Sequence, residues 1–358
     1  MNATCYTILG VMSGTSLDGV DFAYIKFTKE ESWEYELLDC KTVAYEDNWV
    51  IRLREAVNTS NEELAQLDED YTYYLSTLIN TFIAQHPLKN LDAIASHGHT
   101  ILHQPNQGFT LQIGNLPTIA KLCNQLVICD FRVEDVALGG QGAPLVPIGD
   151  ELLFNNYGAC LNIGGFANIS FNQNGKRIAY DICATNCVLN SLTTQLGYDY
   201  DKDGKFAESG VVDLNVLNHL NNLPFYKQSY PKSLGLEWVQ QNIFPILEEA
   251  NLSIIDCIAT YTEHMAQQLA LVLKACNSIT ESNEILVTGG GAYNLYFMRR
   301  LEELSGLKIT KAPSKIIEFK EALIFGFMGV LRLRNTINVL HSVTGASKDH
   351  CAGKVYSP

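Results

Sequence analysis

Apolar and polar positions alternate in short runs over the first thirty residues of this chain. Cys5 to Met12 and Val20 to Phe27 are rich in β-branched and aromatic residues and predict two strands, while Ser13 to Gly19 between them is nearly all small or polar. That pattern predicts a hairpin. The period then lengthens: Leu64, Leu67, Tyr71, Tyr74, Leu78 and Phe82 recur at helical spacing, with Ser60 and Glu63 set as a capping box and Pro87 expected to end the helix. "LDAIASHGHT" and "QLVICDFR" read as short buried strands ending in polar residues. Strands alternating with helices predict an α/β architecture.

Near the middle, "ACLNIGGFANISFNQNGKRIAYDIC" repeats the opening idea of an apolar strand, a turn at Gly164 and Gly165, and further strands, with "NQNG" as a second turn. The chain is expected to begin its fold again at about residue 153, giving a first lobe over 1–152 and a second over 153–358. A long helix is predicted from about Ser253 to Asn277, with Ile258, Tyr261, Met265, Leu269 and Leu273 on one side. "EILVTGGGAYN" then predicts a buried strand running into three glycines. A last helix, Lys320 to about Arg334 within a segment of about 320–345, is free to pack back on the first lobe. No low-complexity linker separates the halves, so the lobes are expected to share a cleft.

Length and composition narrow the function. The 358 residues, 47% hydrophobic, can bury a sizeable core, and the formal net charge of −14 argues against nucleic acid or an anionic membrane surface as partner. The ten cysteines form no C-x-x-C pair and no leader-like segment is recognised, so reduced thiols in a cytoplasm are expected. The longest apolar stretch, Ala322 to Leu331, falls well short of the roughly 20 residues a membrane span needs.

Three glycine-rich turns, Ser13 to Gly19, Gly164 to Asn168 and Gly289 to Gly291, each follow an apolar strand. Glycine lets backbone N–H groups approach a phosphate, so three such turns together point to a polyphosphate ligand, although each alone reads better as a plain turn. Neither a Walker A motif nor G-x-G-x-x-G is present. Asp18, Asp21 and Asp181 stand at or near strand ends beside these turns. A phosphoryl transferase uses carboxylates to hold hydrated Mg²⁺ and to take a proton from the nucleophile, and any of the three also suits a turn or cap. In "SHGHTILHQP", strand alternation would place His97 and His99 on one side, but no further ligand set follows for zinc, and polar residues at a strand end fit as well. Cys183 and Cys187 read as free thiols. "DFRVEDVALGGQGAPLVP" has the character of a substrate loop, with Arg132 offering a fork for a carboxylate; an Arg132–Asp135 surface pair is the alternative.

"GVMSGTSLDGVD", "SHGHTILH", "TLQIGN", "DFRVEDVALGGQGAPLVP", "NIGGFANIS", "PKSLGLEW" and "VTGGGAYN" occur in that order over nearly the whole chain. Together they resemble the anhydro-N-acetylmuramic acid kinase family. The resemblance implies a two-lobed, duplicated ribonuclease H-like fold of the actin/hexokinase/Hsp70-like superfamily, with ATP and Mg²⁺ in an interlobe cleft and domain closure on binding. It implies hydrolytic opening of a 1,6-anhydro ring with phosphorylation of the freed O6, giving N-acetylmuramate 6-phosphate and ADP in cell-wall recycling. By the same resemblance, Gly14, Thr15, Ser16, Leu17, Asp18, Gly19, Val20 and Asp21 would wrap the phosphates, with Asp18 toward Mg²⁺. Gly164, Gly165, Gly289, Gly290 and Gly291 would complete the nucleotide site, and Asp181 would be the catalytic base. His99, Arg132 and Glu321 would serve the sugar. ATP and the amino sugar are thus the implied partners, with a homodimer allowed for.

One block departs from the family pattern. The family usually reads F-D-T-G-P-G-N around the aspartate; this chain reads "YDICATN", keeping Asp181 and Asn186. Cys183 and Thr185 must then either change the loop conformation or narrow the pocket. The alternatives that follow are a catalytically silent sugar sensor, a kinase for a related anhydro-sugar, and a metal-dependent hydrolase built on the histidines.

Overall fold

The computed structural model describes residues 4–86, 90–277 and 282–358. Twelve strands lie among them: β1 (Thr4–Ser13), β2 (Gly19–Lys29), β3 (Trp33–Ala44), β4 (Ala93–Gln104), β5 (Phe109–Ile113), β6 (Val127–Cys129), β7 (Ala159–Ile163), β8 (Phe166–Gln173), β9 (Lys176–Ala184), β10 (Glu284–Thr288), β11 (Lys308–Lys311) and β12 (Lys354–Tyr356). Four helices matter most for the site: α1 (Asn61–Gln85), α2 (Asn186–Thr194), α3 (Ile254–Asn277) and α4 (Ser314–Leu333). The Ser60–Glu63 capping box that starts α1 is fully formed. Pro87, expected to end that helix, lies outside the described residues; the last helical residue is Gln85.

The chain divides into two compact units, residues 1–153 with 319–358, and residues 154–318. The second lobe, expected to run to residue 358, therefore ends at Glu318. Helix α4 starts at Ser314, leaves helical geometry at Phe319 (φ −116°, ψ 15°), and from there belongs to the first unit. Its regular helix stops at Leu333, short of the 345 allowed for the C-terminal segment.

In the first unit the strand order is β12-β6-β4-β1-β2-β3, with β5 on β4. Strands β1, β2 and β3 are antiparallel, and β4 and β6 continue parallel to β1. Both faces are covered, so β1 reads as a continuous apolar run rather than an alternation. Leu9, Val11, Val20 and Phe22 share one core cluster with Tyr71, Leu75, Ile79 and Phe82 of α1. On the other face α4 comes to backbone contact: a Cβ at Gly10 would lie 2.1 Å from the Ala322 carbonyl oxygen, and one at Gly329 would lie 2.6 Å from the Ala95 Cβ. This close approach is why the final residues return to the first unit.

The second unit repeats the plan. Its order is β11-β10-β7-β8-β9, with β7, β8 and β9 antiparallel and β10 and β11 parallel to β7. The chain thus lays down the same five-strand sheet twice, the duplicated topology expected from the repeated strand–turn–strand pattern. Along α3, Ile258, Tyr261, Met265, Leu269 and Leu273 are all buried in the core of this unit. Among the described residues no helix is long and apolar enough to cross a membrane.

Candidate active site

In the first unit, Ser13 pairs with Val20 across the hairpin, and residues 14–18 project from it toward solvent. Leu17 takes φ 62°, and its N–H donates to the Gly14 carbonyl at 3.3 Å. A Cβ at Gly14 would meet only the Ser16 hydroxyl, at 3.6 Å, whereas one at Gly19 would stand 2.3 Å from the Val43 carbonyl oxygen. Gly19 is therefore demanded by strand packing, and Val20 is core. Gly14 to Asp18 are the part of the expected phosphate loop left open to a ligand. Asp21 accepts a hydrogen bond from Thr42 Oγ1 on β3 at 2.6 Å.

His97 and His99 do not share a side. Gly98 takes φ 74°, and the β1–β4 register slips between Val11 and Ser13. A one-residue irregularity of this kind reverses the alternation of a strand. His97 consequently packs on Phe325 of α4, ring centroids 4.6 Å apart, while His99 lies against Tyr71 of α1 at 6.0 Å and Tyr45 at 6.4 Å. Among the described residues no group of three or more His, Cys, Asp or Glu is placed to hold a metal ion.

His97 is an anchor for Arg132. Its Nδ1–H donates to the Gly98 carbonyl at 2.9 Å, leaving Nε2 to accept from Arg132 Nε at 2.8 Å. Burial, and then the neighbouring guanidinium, hold His97 well below the ordinary histidine pKa. Arg132 Nη1 donates to the Gly142 carbonyl at 2.6 Å, and the guanidinium lies 5.8 Å from the Phe325 ring centroid. Burial lowers its pKa to about 10, opposed by Glu321 and Asp135. Glu321 keeps solvent contact, yet the protein crowding its carboxyl raises its pKa, with Arg132 opposing. The structure thus brings Arg132 and Glu321 into electrostatic contact in this unit.

Asp135 is not a surface partner of Arg132. It is fully buried, accepting from Gly142 N–H at 2.7 Å and Thr344 Oγ1 at 2.7 Å. The "GGQG" run wraps this carboxyl so tightly that a Cβ at Gly140 would lie 2.1 Å from Asp135 Oδ2. Asp135 therefore shapes the loop whose Gly142 carbonyl holds Arg132.

In the second unit the glycine turns meet at the C-terminal ends of the parallel strands β7 and β10, the end of an α/β sheet where ligands bind. A Cβ would meet nothing closer than 3.6 Å at Gly164, 3.8 Å at Gly165 and 3.9 Å at Gly290. Gly289 and Gly291 differ: their Cβ atoms would stand 2.5 Å from the Ile163 carbonyl oxygen and 2.3 Å from Ile163 Cγ2. Those two glycines seat the turn against β7, and Gly164, Gly165 and Gly290 are the ones the fold leaves open.

Asp181 sits where β9 bulges: Asn168 faces Asp181 and Ala167 faces Cys183, so Ile182 is the extra residue. Its N–H donates to the Lys232 carbonyl at 3.1 Å, and its Oδ2 accepts from Leu234 N–H at 2.9 Å, so the "PKSLGLEW" block fastens the carboxyl. Among the described residues Oδ1 takes no hydrogen bond. Burial raises the carboxyl pKa, and the Leu234 N–H opposes this.

The altered "ICAT" residues turn inward. Cys183 is fully buried in the core of the unit, and Thr185, also fully buried, donates from Oγ1 to the Gly164 carbonyl at 2.8 Å. The N–H groups of Thr185 and Asn186 bond the Gly165 and Gly164 carbonyls at 2.8 and 3.2 Å, and Tyr261 Oη donates to the Ala184 carbonyl at 3.0 Å. No residue from 181 to 186 has positive φ. Both side chains point away from any opening: Cys183 packs in the core, and Thr185 secures the turn. Thr185→Val, the same shape without the hydroxyl, is expected to destabilise the second unit by about 1 kcal/mol, and Thr185→Ser to retain most of that, as read by thermal denaturation.

The contacts by which Thr185, Asp135, Ser13, Tyr45 and Tyr71 hold their surroundings were not signalled in the sequence. Their partners are distant along the chain, as with Ser13 and His99, and nothing local marks them.

A family model described as "Anhydro-N-acetylmuramic acid kinase" matches residues 6–358. The anhydro-N-acetylmuramic acid kinase of Mannheimia succiniciproducens is 34% identical, covering 97% of this chain and 98% of its own. That of Pseudomonas fluorescens is 35% identical with the same coverage. Among solved structures, component A of the Acidaminococcus fermentans (R)-2-hydroxyglutaryl-CoA dehydratase aligns over 89% of this chain and 95% of its own, with 14% identity and a TM-score of 0.43. Matched almost end to end by one family model and by full-length relatives a third identical, the chain belongs to the anhydro-N-acetylmuramic acid kinase family.

Proposed function

We propose that Asp181 is the general base of an ATP-dependent reaction that opens 1,6-anhydro-N-acetylmuramate with water and phosphorylates the freed O6. The chain is an anhydro-N-acetylmuramic acid kinase, a phosphotransferase of amino-sugar metabolism and peptidoglycan recycling. The observation that carries the role of Asp181 is its carboxyl, with one oxygen fastened by Leu234 N–H, the other unbonded among the described residues, and a pKa raised by burial. A base must be oriented and must gain from taking a proton, and this one meets both conditions.

Asp181 takes a proton from water as the water oxygen bonds to the anomeric carbon and the C1–O6 bond breaks; O6 then bonds the γ-phosphorus of ATP as the bond to the ADP oxygen breaks and ADP leaves. The proton then passes to solvent. Gly14 to Asp18 of the first unit and Gly164, Gly165 and Gly290 of the second are the residues we assign to ATP, because a Cβ at Gly14, Gly164, Gly165 or Gly290 would meet no neighbour closely and backbone N–H groups can approach a phosphate there. Solvent-facing Asp18 suits a Mg²⁺ that keeps most of its waters. Bound there, MgATP supplies the phosphoryl group. Arg132, with Nε and Nη1 engaged, keeps Nη2 for the lactyl carboxylate, and Glu321 beside it orients the sugar. Ten free thiols suit a reducing cytoplasm as its place of work.

A coupled ADP-release assay over a panel of anhydro-sugars tests the reading. Sugar-dependent ADP release with 1,6-anhydro-N-acetylmuramate is expected. Thermal stabilisation by sugar without ADP release would leave only a sensor.

A further inference from the structure

Behind the first glycine loop runs a chain of buried hydroxyls ending on a histidine. Tyr71 Oη bonds Tyr45 Oη, Tyr45 Oη bonds Ser13 Oγ at 2.6 Å, and Ser13 Oγ bonds His99 Nδ1 at 2.7 Å. The four residues are 0%, 8%, 2% and 2% exposed, so each proton needs a partner inside the protein. Tyr71 lies within hydrogen-bonding reach of Tyr45 and of Ser13, and in the order that also supplies His99 Nδ1 with a proton its own goes to Tyr45. The Tyr45 proton goes on to Ser13, and the Ser13 proton to His99 Nδ1. An Nδ1 that accepts leaves the ring proton on Nε2. Burial lowers the His99 pKa to about 4, so the ring is neutral at physiological pH. Nε2 has no partner among the described residues and is absent from the fully buried polar atoms left without one, so it keeps access to the outside of the unit. His97, two residues away, is locked in the opposite tautomer by Gly98 and Arg132.

We propose that Tyr71, Tyr45 and Ser13 form a one-way hydrogen-bond chain that fixes His99 as an Nε2–H donor to an acceptor oxygen of the sugar. Ser13 and Tyr45 are positioning residues, acting through His99. The proposal rests on the assignment of His99 to the sugar, and its two halves are read separately.

Nitrogen-15 NMR of the full chain labelled at histidine reads the tautomer without turnover. The wild type is expected to show His99 as Nε2–H from pH 5.5 to 8, with that signal shifting when 1,6-anhydro-N-acetylmuramate is added and not when ATP alone is added. Ser13→Ala is expected to give a tautomer mixture and to raise the sugar KM about tenfold, with the ATP KM unchanged; Ser13→Thr should restore both. Tyr45→Phe should give a partial form of the same change. An Nδ1–H signal in the wild type, or an unchanged tautomer and sugar KM in folded Ser13→Ala, overturns the lock. A locked Nε2–H that responds to ATP and not to sugar overturns the donor role.

Discussion

Asp181→Asn is expected to lower kcat by at least about a thousandfold, with nucleotide affinity by calorimetry within about twofold of the wild type. The asparagine keeps an oxygen for the Leu234 N–H, so the loop geometry survives, but it cannot take a proton from water. The same substitution should leave the melting temperature unchanged or higher. Burial raises the Asp181 carboxyl above its ordinary 3.8, so the folded chain binds that proton more tightly than the unfolded one. Stability from this group is therefore present at acid pH and is lost as pH rises through the raised value; at neutral pH the charged form is the unfavourable one, and asparagine removes it. Loss of turnover with retained stability separates a base from a structural carboxyl. Full turnover in the variant would remove Asp181 from the mechanism. The wild-type kcat/KM should fall on the acid side as pH drops through a value above 3.8, because a protonated carboxyl accepts nothing.

Gly10→Ala should be the most disruptive single methyl in the first unit. The added Cβ would stand 2.1 Å from the Ala322 carbonyl oxygen and 3.4 Å from the Gly326 Cα, and helical backbone cannot step aside as a side chain can. Relief requires α4 to move off β1, opening the packing of Gly326 on Ile25 and of Gly329 on Ala95. A loss of about 3 kcal/mol is expected, roughly 6–12 °C in the melting of this unit. Helix α4 also carries Glu321 and Phe325, the neighbours of Arg132, so the sugar KM should rise in whatever protein stays folded. A variant that melts with the wild type and keeps its KM would show that helix and strand are not held this closely.

The hairpin at Ser13 to Gly19, the capping box of α1 and the buried face of α3 were legible because their causes are local: alternation, a side chain reaching three residues along, and a 3.6-residue period. The glycine turns were legible as turns, yet their glycines divide into kinds that look alike in the sequence. Gly19, Gly289 and Gly291 are needed because strand backbone or Ile163 lies against them, while Gly14, Gly164, Gly165 and Gly290 meet nothing close. That distinction depends on neighbours brought in by strand pairing. The histidines were misplaced for a related reason: alternation assumes a regular strand, and the positive φ at Gly98 breaks it.

By itself the sequence determined the α/β class, the duplicated strand pattern and the family through seven ordered blocks. All of these rest on short-range periodicity or residue order. Only the tertiary structure decided that the last forty residues rejoin the first unit, that His97 and His99 face opposite sides of a sheet, and that Cys183 turns into the core while Thr185 holds the turn beside Asp181. Each of these is settled by groups separated along the chain coming together in the fold.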